Sequence, residues 1–361
     1  MTGTLMIRAD AGLEMGTGHV MRCLALAQAW QDAGGKAVFA LAESTPTIDE
    51  RLLSEDMDLV KLTSGVGTEE DANETAALAQ ARQAAWVVVD GYRFGAGYQQ
   101  RLKAAKLNVL FIDDTGECGP YSAAVVLNQN VQAQEAMYQS REPSTQLLLG
   151  PQYALLRREF RPWRGWKLRA PPVARRLLVV MGGSDSDNIT LKTIEAIRAL
   201  RGRELEVTVV VGGSNPHWGT LQRAASISAV MIELRRNSSS MVELMAGADL
   251  AISAGGGTCY ELAFMEVPTL LVTAARNQAP TCQAMAQCGA AIDLGWFHSL
   301  DARELANRLH KIIPDRALRQ SLMENARALV DGGGSQRVTG VLLGRSAPAK
   351  MPPGQLGTRA G

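Results

Sequence analysis

Short runs of apolar residues alternate with longer segments of helical periodicity along the whole chain. The runs are nearly continuous in Val, Ile and Leu and end in polar residues or glycine, which is typical of parallel strands buried on both faces. In the first half these runs lie at residues 5–7, 37–41, 59–62, 86–89, 109–112 and 123–127. Helices are predicted between them, for example over 20–33 and 68–85. This alternation predicts an α/β fold with a doubly wound parallel sheet.

The second half repeats the pattern. Strands are predicted at 177–181, 207–211, 230–234, 250–253, 269–272 and 290–294, and helices at 188–200, 239–246, 258–265 and 281–287. Two such series in succession predict two doubly wound, Rossmann-like domains. Trp, Arg and Pro residues interrupt the pattern over 162–172, so we place the domains at 1–165 and 166–344. The Pro- and Gly-rich segment 345–361 is predicted to be a disordered tail.

Composition narrows the functional classes. Lys and Arg number 37 against 36 Asp and Glu, and a net charge of +1 gives no electrostatic footprint for nucleic acid or an anionic membrane. No apolar run reaches the ~18 residues of a spanning helix, and the N-terminus lacks a signal-peptide pattern, so we expect a cytoplasmic protein. The five cysteines form no CxxC pair, and the four histidines are scattered, so no metal site is expected.

A first glycine-rich segment, residues 8–19, runs from the first predicted strand into a long helix. Gly16 and Gly18 leave the backbone bare just before that helix, whose free N–H groups suit an anion. His19 lies at the helix start, where the positive end of the dipole disfavours imidazolium and suits a neutral general base. Asp10, at the end of the strand, is placed to orient the other ring nitrogen. The alternative is a histidine that hydrogen-bonds its own backbone.

A second segment of this kind follows the strand predicted at 177–181. Gly182, Gly183 and Ser184 can cradle a phosphate with N–H and hydroxyl donors. An acidic residue so close argues against a bare anion pocket, and we interpret Asp185 as a turn or N-cap residue. This segment alone is a moderate signal for a phosphate site.

The third segment holds three consecutive glycines and leads into another helix. Gly256 and Gly257 again leave the backbone bare, and Thr258 begins the helix. Glu261 follows Thr258 by three residues, which is the spacing of a capping box. The functional alternative is that Glu261 accepts hydrogen bonds from the two hydroxyls of a ribose; spacing alone favours capping.

Polar residues follow other predicted strands, at 90–92, 113–114 and 128–130. We interpret Asp113 and Asp114 as a turn rather than a metal pair, and Tyr92 as an edge tyrosine with its hydroxyl in water. Asn277 and Gln278 follow the strand at 269–272, on the side of the third glycine segment.

Together these segments resemble a known family. The stretches IRADAGLEMGTGHVMRCLALAQAW, VVDGY, LLGPQYALLRREF, VMGGSD and ISAGGGTCYELAFMEVPTLLV resemble the nucleotide-sugar hydrolases of pseudaminic acid biosynthesis. Those enzymes act on UDP-2,4-diacetamido-2,4,6-trideoxy-β-L-altropyranose, and related spore-coat polysaccharide proteins share the pattern. The resemblance covers roughly residues 4–343. It implies the GT-B fold, in which two Rossmann-like domains face a central cleft.

The resemblance also implies roles for individual residues. His19 matches the base that activates water for attack on the anomeric carbon, with inversion and departure of UDP, and Tyr92 matches an active-site tyrosine. We count His19, Asp10 and Tyr92 as catalytic candidates. No metal or cofactor is implied, and the expected partner is a UDP-sugar. The substrate-binding candidates are Gly16, Gly18, Arg22, Gly182, Gly183, Ser184, Gly256, Gly257, Thr258, Glu261, Asn277 and Gln278.

Two other functions stay open at this point. A GT-B glycosyltransferase would use the same UDP cleft with an acceptor in the N-terminal domain. A non-catalytic nucleotide-sugar binding protein would need no base. An NAD-dependent dehydrogenase is disfavoured because the third glycine of the dinucleotide fingerprint is missing.

Overall fold

The computed structural model describes residues 2–12, 16–200, 202, 204–238 and 240–345. The predicted tail, apart from Arg345, lies outside them. Two parallel sheets, one of seven strands and one of six, form the centres of two lobes. Long apolar strands buried on both faces need helices on both sides, and the chain supplies them between the strands.

The first lobe is built on the seven-stranded sheet, with the strand order β3-β2-β1-β4-β5-β6-β7. Its strands are β1 (Thr4–Ala9), β2 (Lys36–Leu41), β3 (Asp58–Lys61), β4 (Ala84–Asp90), β5 (Val109–Ile112), β6 (Val125–Asn128) and β7 (Gln146–Leu149). Its helices are α1 (Gly18–Asp32), α2 (Pro46–Leu53), α3 (Glu69–Ala81) and α4 (Ala96–Ala104). Strand β7 is missing from the sequence prediction because its apolar run is only three leucines long.

The long helix α1 follows the predicted periodicity. Val20, Cys23, Leu24 and Trp30 recur on one face and are buried in the core of the first lobe. The helix begins directly after the first glycine-rich segment, and no side chain caps its first turn. The free N–H groups of this turn therefore point toward the carboxyl edge of the sheet.

The second lobe is built on the six-stranded sheet, with the strand order β10-β9-β8-β11-β12-β13. Its strands are β8 (Arg176–Val180), β9 (Glu206–Val211), β10 (Met231–Arg236), β11 (Leu250–Ala254), β12 (Thr269–Thr273) and β13 (Ile292–Trp296). Its helices are α5 (Ile189–Arg198), α6 (Trp218–Ser226), α7 (Met241–Gly247), α8 (Thr258–Phe264), α9 (Ala279–Gln287), α10 (Ala302–Ile312) and α11 (Arg316–Leu329).

The last helix, α12 (Gly334–Leu342), returns to the first lobe. Its Val338 and Leu342 are buried in the same core as α1, and the Trp86 indole N–H donates to the Leu342 carbonyl at 2.8 Å. The predicted division assigned all of residues 166–344 to one domain. The structure differs because the apolar face of α12 finds its partner on the first sheet.

The strand orders locate a ligand site. In each sheet the order reverses between neighbouring strands, at β1 and β4 in the first lobe and at β8 and β11 in the second. Open α/β sheets bind ligands outside the carboxyl ends of such strands. The three glycine-rich segments follow β1, β8 and β11, so the fold brings them to these edges. No helix among the described residues is both long and apolar enough to cross a membrane.

Candidate active site

A cleft of about 660 Å³ lies between the lobes, and residues of both lobes line it. The sequence-predicted site residues lie along it, with the exception of Asp10. These residues come from segments up to about 260 positions apart along the chain, and the two sheets bring them together.

His19 is the candidate base, and a buried carboxylate fixes its ring. Its Nδ1 lies 2.7 Å from Oδ1 of Asp90, the last residue of β4. The side chain is nearly enclosed, with 6% of its surface exposed, and lines the cleft. Because a carboxylate accepts, Nδ1 carries the proton, and the neutral ring presents the lone pair of Nε2. No described residue hydrogen-bonds Nε2, so this atom is left for a molecule in the cleft.

Asp10 does not orient His19, which corrects the prediction. Its carboxylate pairs with Arg8 at 2.7 Å and accepts the backbone N–H groups of Ala42 and Glu43 at 2.8 and 2.9 Å. Asp10 thus ties the end of β1 to the loop after β2, on the side away from β4. Its role in this structure is to hold the backbone of the first lobe.

Arg22 lies one turn after His19 on α1 and holds two carboxylates. Its Nε and Nη2 donate to the two oxygens of Asp90, each at 2.6 Å, and its Nη1 donates to both oxygens of Asp114 at 2.9 and 2.7 Å. Burial alone would raise the pKa of Asp90, but the charge of Arg22 and the hydrogen bonds from Arg22 and His19 outweigh it, and the pKa lies below its usual value. Asp90 therefore stays ionised beside the imidazole.

Tyr92 spans the mouth of the cleft beside the base. Its ring meets the His19 ring edge-on with the centroids 4.8 Å apart, and 46% of the residue is exposed. The hydroxyl does not point only into water as predicted, because the Asn277 side-chain amide of the second lobe donates to it at 2.7 Å. Partial burial, followed by the negative charge of Asp114, raises the pKa of Tyr92 above its ordinary value, so the phenol stays protonated.

The second glycine segment faces the first across the cleft. A Cβ added at Gly183 would lie 2.8 Å from Oγ1 of Thr17, two residues before His19, so the two backbones approach closely. Gly182 has a φ of +88°, a conformation that favours glycine. The N-cap residue of α5 is Asn188, but the Asp185 carboxylate accepts the N–H groups of Ile189 and Thr190 in the first turn at 2.8 and 3.1 Å.

Two glycines of the third segment, Gly255 and Gly257, have different structural explanations. A Cβ at Gly255 would lie 2.3 Å from the Cys282 sulfur, so packing requires glycine there. At Gly257 a Cβ would meet nothing within 4 Å, and its φ is −54°, which any residue adopts. Neither packing nor backbone conformation requires this glycine. A side chain at position 257 would instead occupy the cleft, so bare backbone here fits close approach by a ligand.

Glu261 lies in the cleft wall and does not cap α8. The N-cap residue is Gly257, and no side chain accepts from the first turn of this helix, so the capping-box interpretation is wrong. Arg157 donates to Glu261 Oε1 with Nη2 at 2.9 Å and Nε at 3.2 Å. Burial raises the pKa of Glu261 and the Arg157 charge opposes this. The carboxylate keeps lone pairs for further donors.

Sequence reasoning missed three residues of this site: Asp90, Asp114 and Arg157. The first two belong to the polar residues noted after the predicted strands, so the signal was present. What was lacking is the strand order, because β4 follows β3 in sequence but lies beside β1 in the sheet. Asp113 forms the predicted turn, with its carboxylate accepting the Thr115 N–H at 2.8 Å. Among the described residues, no group of three or more His, Cys, Asp or Glu side chains could hold a metal ion.

Comparisons with known proteins agree with this architecture. The model of the glycosyltransferase family 28 C-terminal domain matches residues 177–334, most of the second lobe. Solved structures with the same fold include MurG of Acinetobacter baumannii, with a TM-score of 0.65 and 15% identity over 95% of this chain and 99% of MurG. Another is the S. aureus MnaA–UDP co-structure, with a TM-score of 0.67 and 12% identity over 97% of this chain and 100% of that one. At these identities the likeness shows the fold alone, and it confirms the predicted GT-B architecture.

One curated relative has a higher sequence identity to this chain than these structures have. The spore coat polysaccharide biosynthesis protein SpsG of Bacillus subtilis (strain 168) is 30% identical over 236 residues, which make up 65% of this chain and 68% of SpsG. The chain therefore belongs to the family of the spore coat polysaccharide biosynthesis protein SpsG.

Proposed function

We propose that this protein hydrolyses a UDP-linked sugar to UDP and the free sugar. The observation that carries the proposal is the imidazole of His19, held through Nδ1 by Asp90 with Nε2 left for a molecule in the cleft. A base oriented by a carboxylate is the arrangement that general-base catalysis requires. It lies across a cleft from bare glycine backbone suited to a diphosphate.

The second lobe would bind the nucleotide. Gly182–Ser184 and Gly256–Thr258 line the cleft, and their backbone N–H groups would donate to the diphosphate, so no cation has to supply this charge. Glu261 would accept from the ribose hydroxyls while Arg157 holds it in place. The MnaA co-structure contains UDP in a protein of the same fold, which supports UDP as the nucleotide.

The reaction would proceed by one displacement. A water oxygen attacks the anomeric carbon while Nε2 of His19 takes one of its protons. The bond from that carbon to the diphosphate oxygen breaks on the opposite face, and its electron pair leaves with UDP. The sugar is released with inverted configuration, and the imidazolium returns its proton to solvent. Asp90 stabilises the charge that His19 carries between these steps.

We further propose a 2,4-diacetamido-2,4,6-trideoxy sugar as the substrate, which would place the protein in pseudaminic acid biosynthesis. The motif resemblance to the hydrolases of that pathway supports this assignment. The sugar would lie between His19 and the side chains of Tyr92, Asn277 and Gln278, which line the same part of the cleft. SpsG itself is named for polysaccharide biosynthesis, a process that also consumes activated sugars.

A glycosyltransferase is the second candidate, because the matched second-lobe model carries a glycosyltransferase name. It would use the same UDP cleft and the same base, with a hydroxyl acceptor in place of water. The two reactions differ in whether UDP is released without an acceptor. A transferase would release it slowly unless an acceptor hydroxyl is added.

The deciding experiment incubates the purified protein with a panel of UDP-sugars and follows the released sugar by NMR. Inverted free sugar and UDP at enzymatic turnover rates, without any acceptor, support hydrolysis. UDP release only after an acceptor is added would favour the transferase. The matched variant is His19→Asn, which should keep UDP affinity and lose roughly 10²–10⁴ in rate. Wild-type turnover in this variant would end the proposed mechanism.

A further inference from the structure

Tyr260 is a buried tyrosine of the second lobe whose hydroxyl makes two hydrogen bonds with the first lobe. It lies on α8, directly after the third glycine segment, and 2% of its surface is exposed. The hydroxyl donates to Oδ1 of Asn130 at 3.0 Å and accepts the backbone N–H of Val131 at 3.2 Å. A buried hydroxyl with two partners in the other lobe fixes how the lobes meet at this point.

From Asn130 the hydrogen bonds continue toward the base. The Asn130 amide donates through Nδ2 to Oδ1 of Asp114 at 2.8 Å. Asp114 accepts Arg22 through both oxygens, and Arg22 in turn donates to both oxygens of Asp90. The remaining link is the Nδ1 contact of His19 with Asp90. We call this set the relay; its members are Tyr260, Asn130, Asp114, Arg22, Asp90 and His19.

The relay has a direction, which depends on the tyrosine hydroxyl. A side-chain amide has a donor end and an acceptor end, and only the donor end suits the Asp114 carboxylate. The Tyr260 O–H occupies the acceptor end of Asn130 and so fixes the donor end toward Asp114. Without that hydroxyl, only the Asp114 carboxylate holds the amide in this orientation, since a flip would place one oxygen against another. Asp114 would then hold Arg22 less firmly, and Arg22 would hold Asp90 less firmly.

We propose that Tyr260 is a positioning residue that orients His19 only when the two lobes are together. The expected effect on hydrolysis rests on the proposed function. The orientation of the His19 ring by Tyr260 does not depend on it. Tyr260 lies beside the proposed nucleotide-binding segment. Its side chain would therefore link binding of the nucleotide at α8 to orientation of the base. Hydrolysis would thus be favoured only in the assembled cleft.

The test compares Tyr260→Phe with a matched control, Gln132→Ala. Gln132 makes another hydrogen bond between the lobes, to Thr281 Oγ1 at 3.1 Å, but it is not part of the relay. Tyr260→Phe loses two such bonds and Gln132→Ala loses one. We expect Tyr260→Phe to lower kcat roughly 5- to 30-fold with KM within about twofold, and Gln132→Ala to change neither by more than about twofold. Equal kcat losses in the two variants would overturn the positioning role.

A second measurement does not depend on turnover. In protein labelled with ¹⁵N-histidine and saturated with UDP, the wild type and Gln132→Ala should show His19 as one tautomer with the proton on Nδ1. Tyr260→Phe should show mixed or exchange-broadened ring signals. Unchanged His19 signals in Tyr260→Phe would refute the proposal. If the wild type turns over no UDP-sugar, the proposed function fails, and these spectra alone decide the role of Tyr260.

A double variant guards against a general loss of structure. If Tyr260 acts through Asp114, then Asp114→Asn should remove most of the benefit that Tyr260 provides. Tyr260→Phe combined with Asp114→Asn should then lower kcat little more than Asp114→Asn alone. Fully additive losses would mean that the two residues act independently, which contradicts the relay.

Discussion

Replacing Asp90 by asparagine tests the core of the proposed mechanism. The amide has nearly the same shape as the carboxylate but no charge. In the wild type, Nδ1 of His19 donates to Asp90, and Arg22 donates to both carboxylate oxygens. An asparagine oxygen turned toward Arg22 places its NH₂ group against Nδ1. The imidazole must then carry its proton on Nε2, where it cannot accept one from water.

The expected loss follows from the contacts that the carboxylate makes. Loss of a correctly oriented general base costs about 10²–10⁴ in kcat, or about 3–5 kcal/mol of barrier. Asp90 is fully buried and ion-paired, so Asp90→Asn should also lower the free energy of unfolding by about 1–3 kcal/mol. UDP affinity should change little, because Asp90 is fully buried and is not among the residues that line the cleft.

Asp10→Asn is the matched control. Asp10 is also buried and also pairs with an arginine, and it accepts two further hydrogen bonds from backbone N–H groups. It should therefore lose a similar amount of stability while keeping kcat within about threefold. The measurements are steady-state UDP release, UDP binding by calorimetry and urea unfolding of all three proteins. A folded Asp90→Asn protein with nearly wild-type kcat, or an Asp10→Asn protein with the larger loss, would refute the reasoning.

Three further predictions concern the nucleotide segments and the pH dependence of stability. Gly257→Val should weaken UDP binding at least about tenfold with little change in Tm, because its Cβ meets open space. Gly255→Val should instead lower Tm strongly, because its Cβ would lie 2.3 Å from a cysteine sulfur. Calorimetry and thermal melts distinguish the two variants, and equal effects would contradict the assignment of Gly257 to ligand binding and Gly255 to packing. Glu261→Ala should abolish the preference for UDP over 2′-deoxy-UDP, measured by competition binding; a preference that survives would place the ribose elsewhere. Burial alone would raise the pKa of Asp71, but its hydrogen bonds and charge pairing with Arg8 lower it. This pair therefore stabilises the fold at pH values above the ordinary carboxyl pKa of about 4. The stabilisation is lost as the pH falls through the lowered pKa of Asp71. Urea unfolding between pH 2 and 7 should show a flatter profile for Asp71→Asn than for the wild type, and parallel profiles would exclude this pair as a source of acid sensitivity.

The hydrophobic pattern of the sequence was sufficient to predict the two parallel sheets. Strands buried on both faces need long apolar runs, and such runs are readable without any knowledge of neighbours. The short strand β7 was missed because three leucines do not distinguish a strand from a loop. The position of α12 could not be predicted either, because the helix follows the second lobe in sequence and an apolar face does not by itself indicate the sheet on which it packs.

Local sequence also determined which segments would form the cleft. Glycines after β1, β8 and β11 mark the places where bare backbone meets the carboxyl edge of a sheet, and His19 begins the helix after the first of them. Which carboxylate serves His19 depends instead on the order of strands within the sheet. The strand β4 lies beside β1 although it is the fourth strand in sequence, and this places Asp90 rather than Asp10 against the imidazole. Hydrogen bonds between residues on neighbouring strands and opposite lobes have no counterpart in local sequence, since only the packed fold brings their atoms within 3 Å.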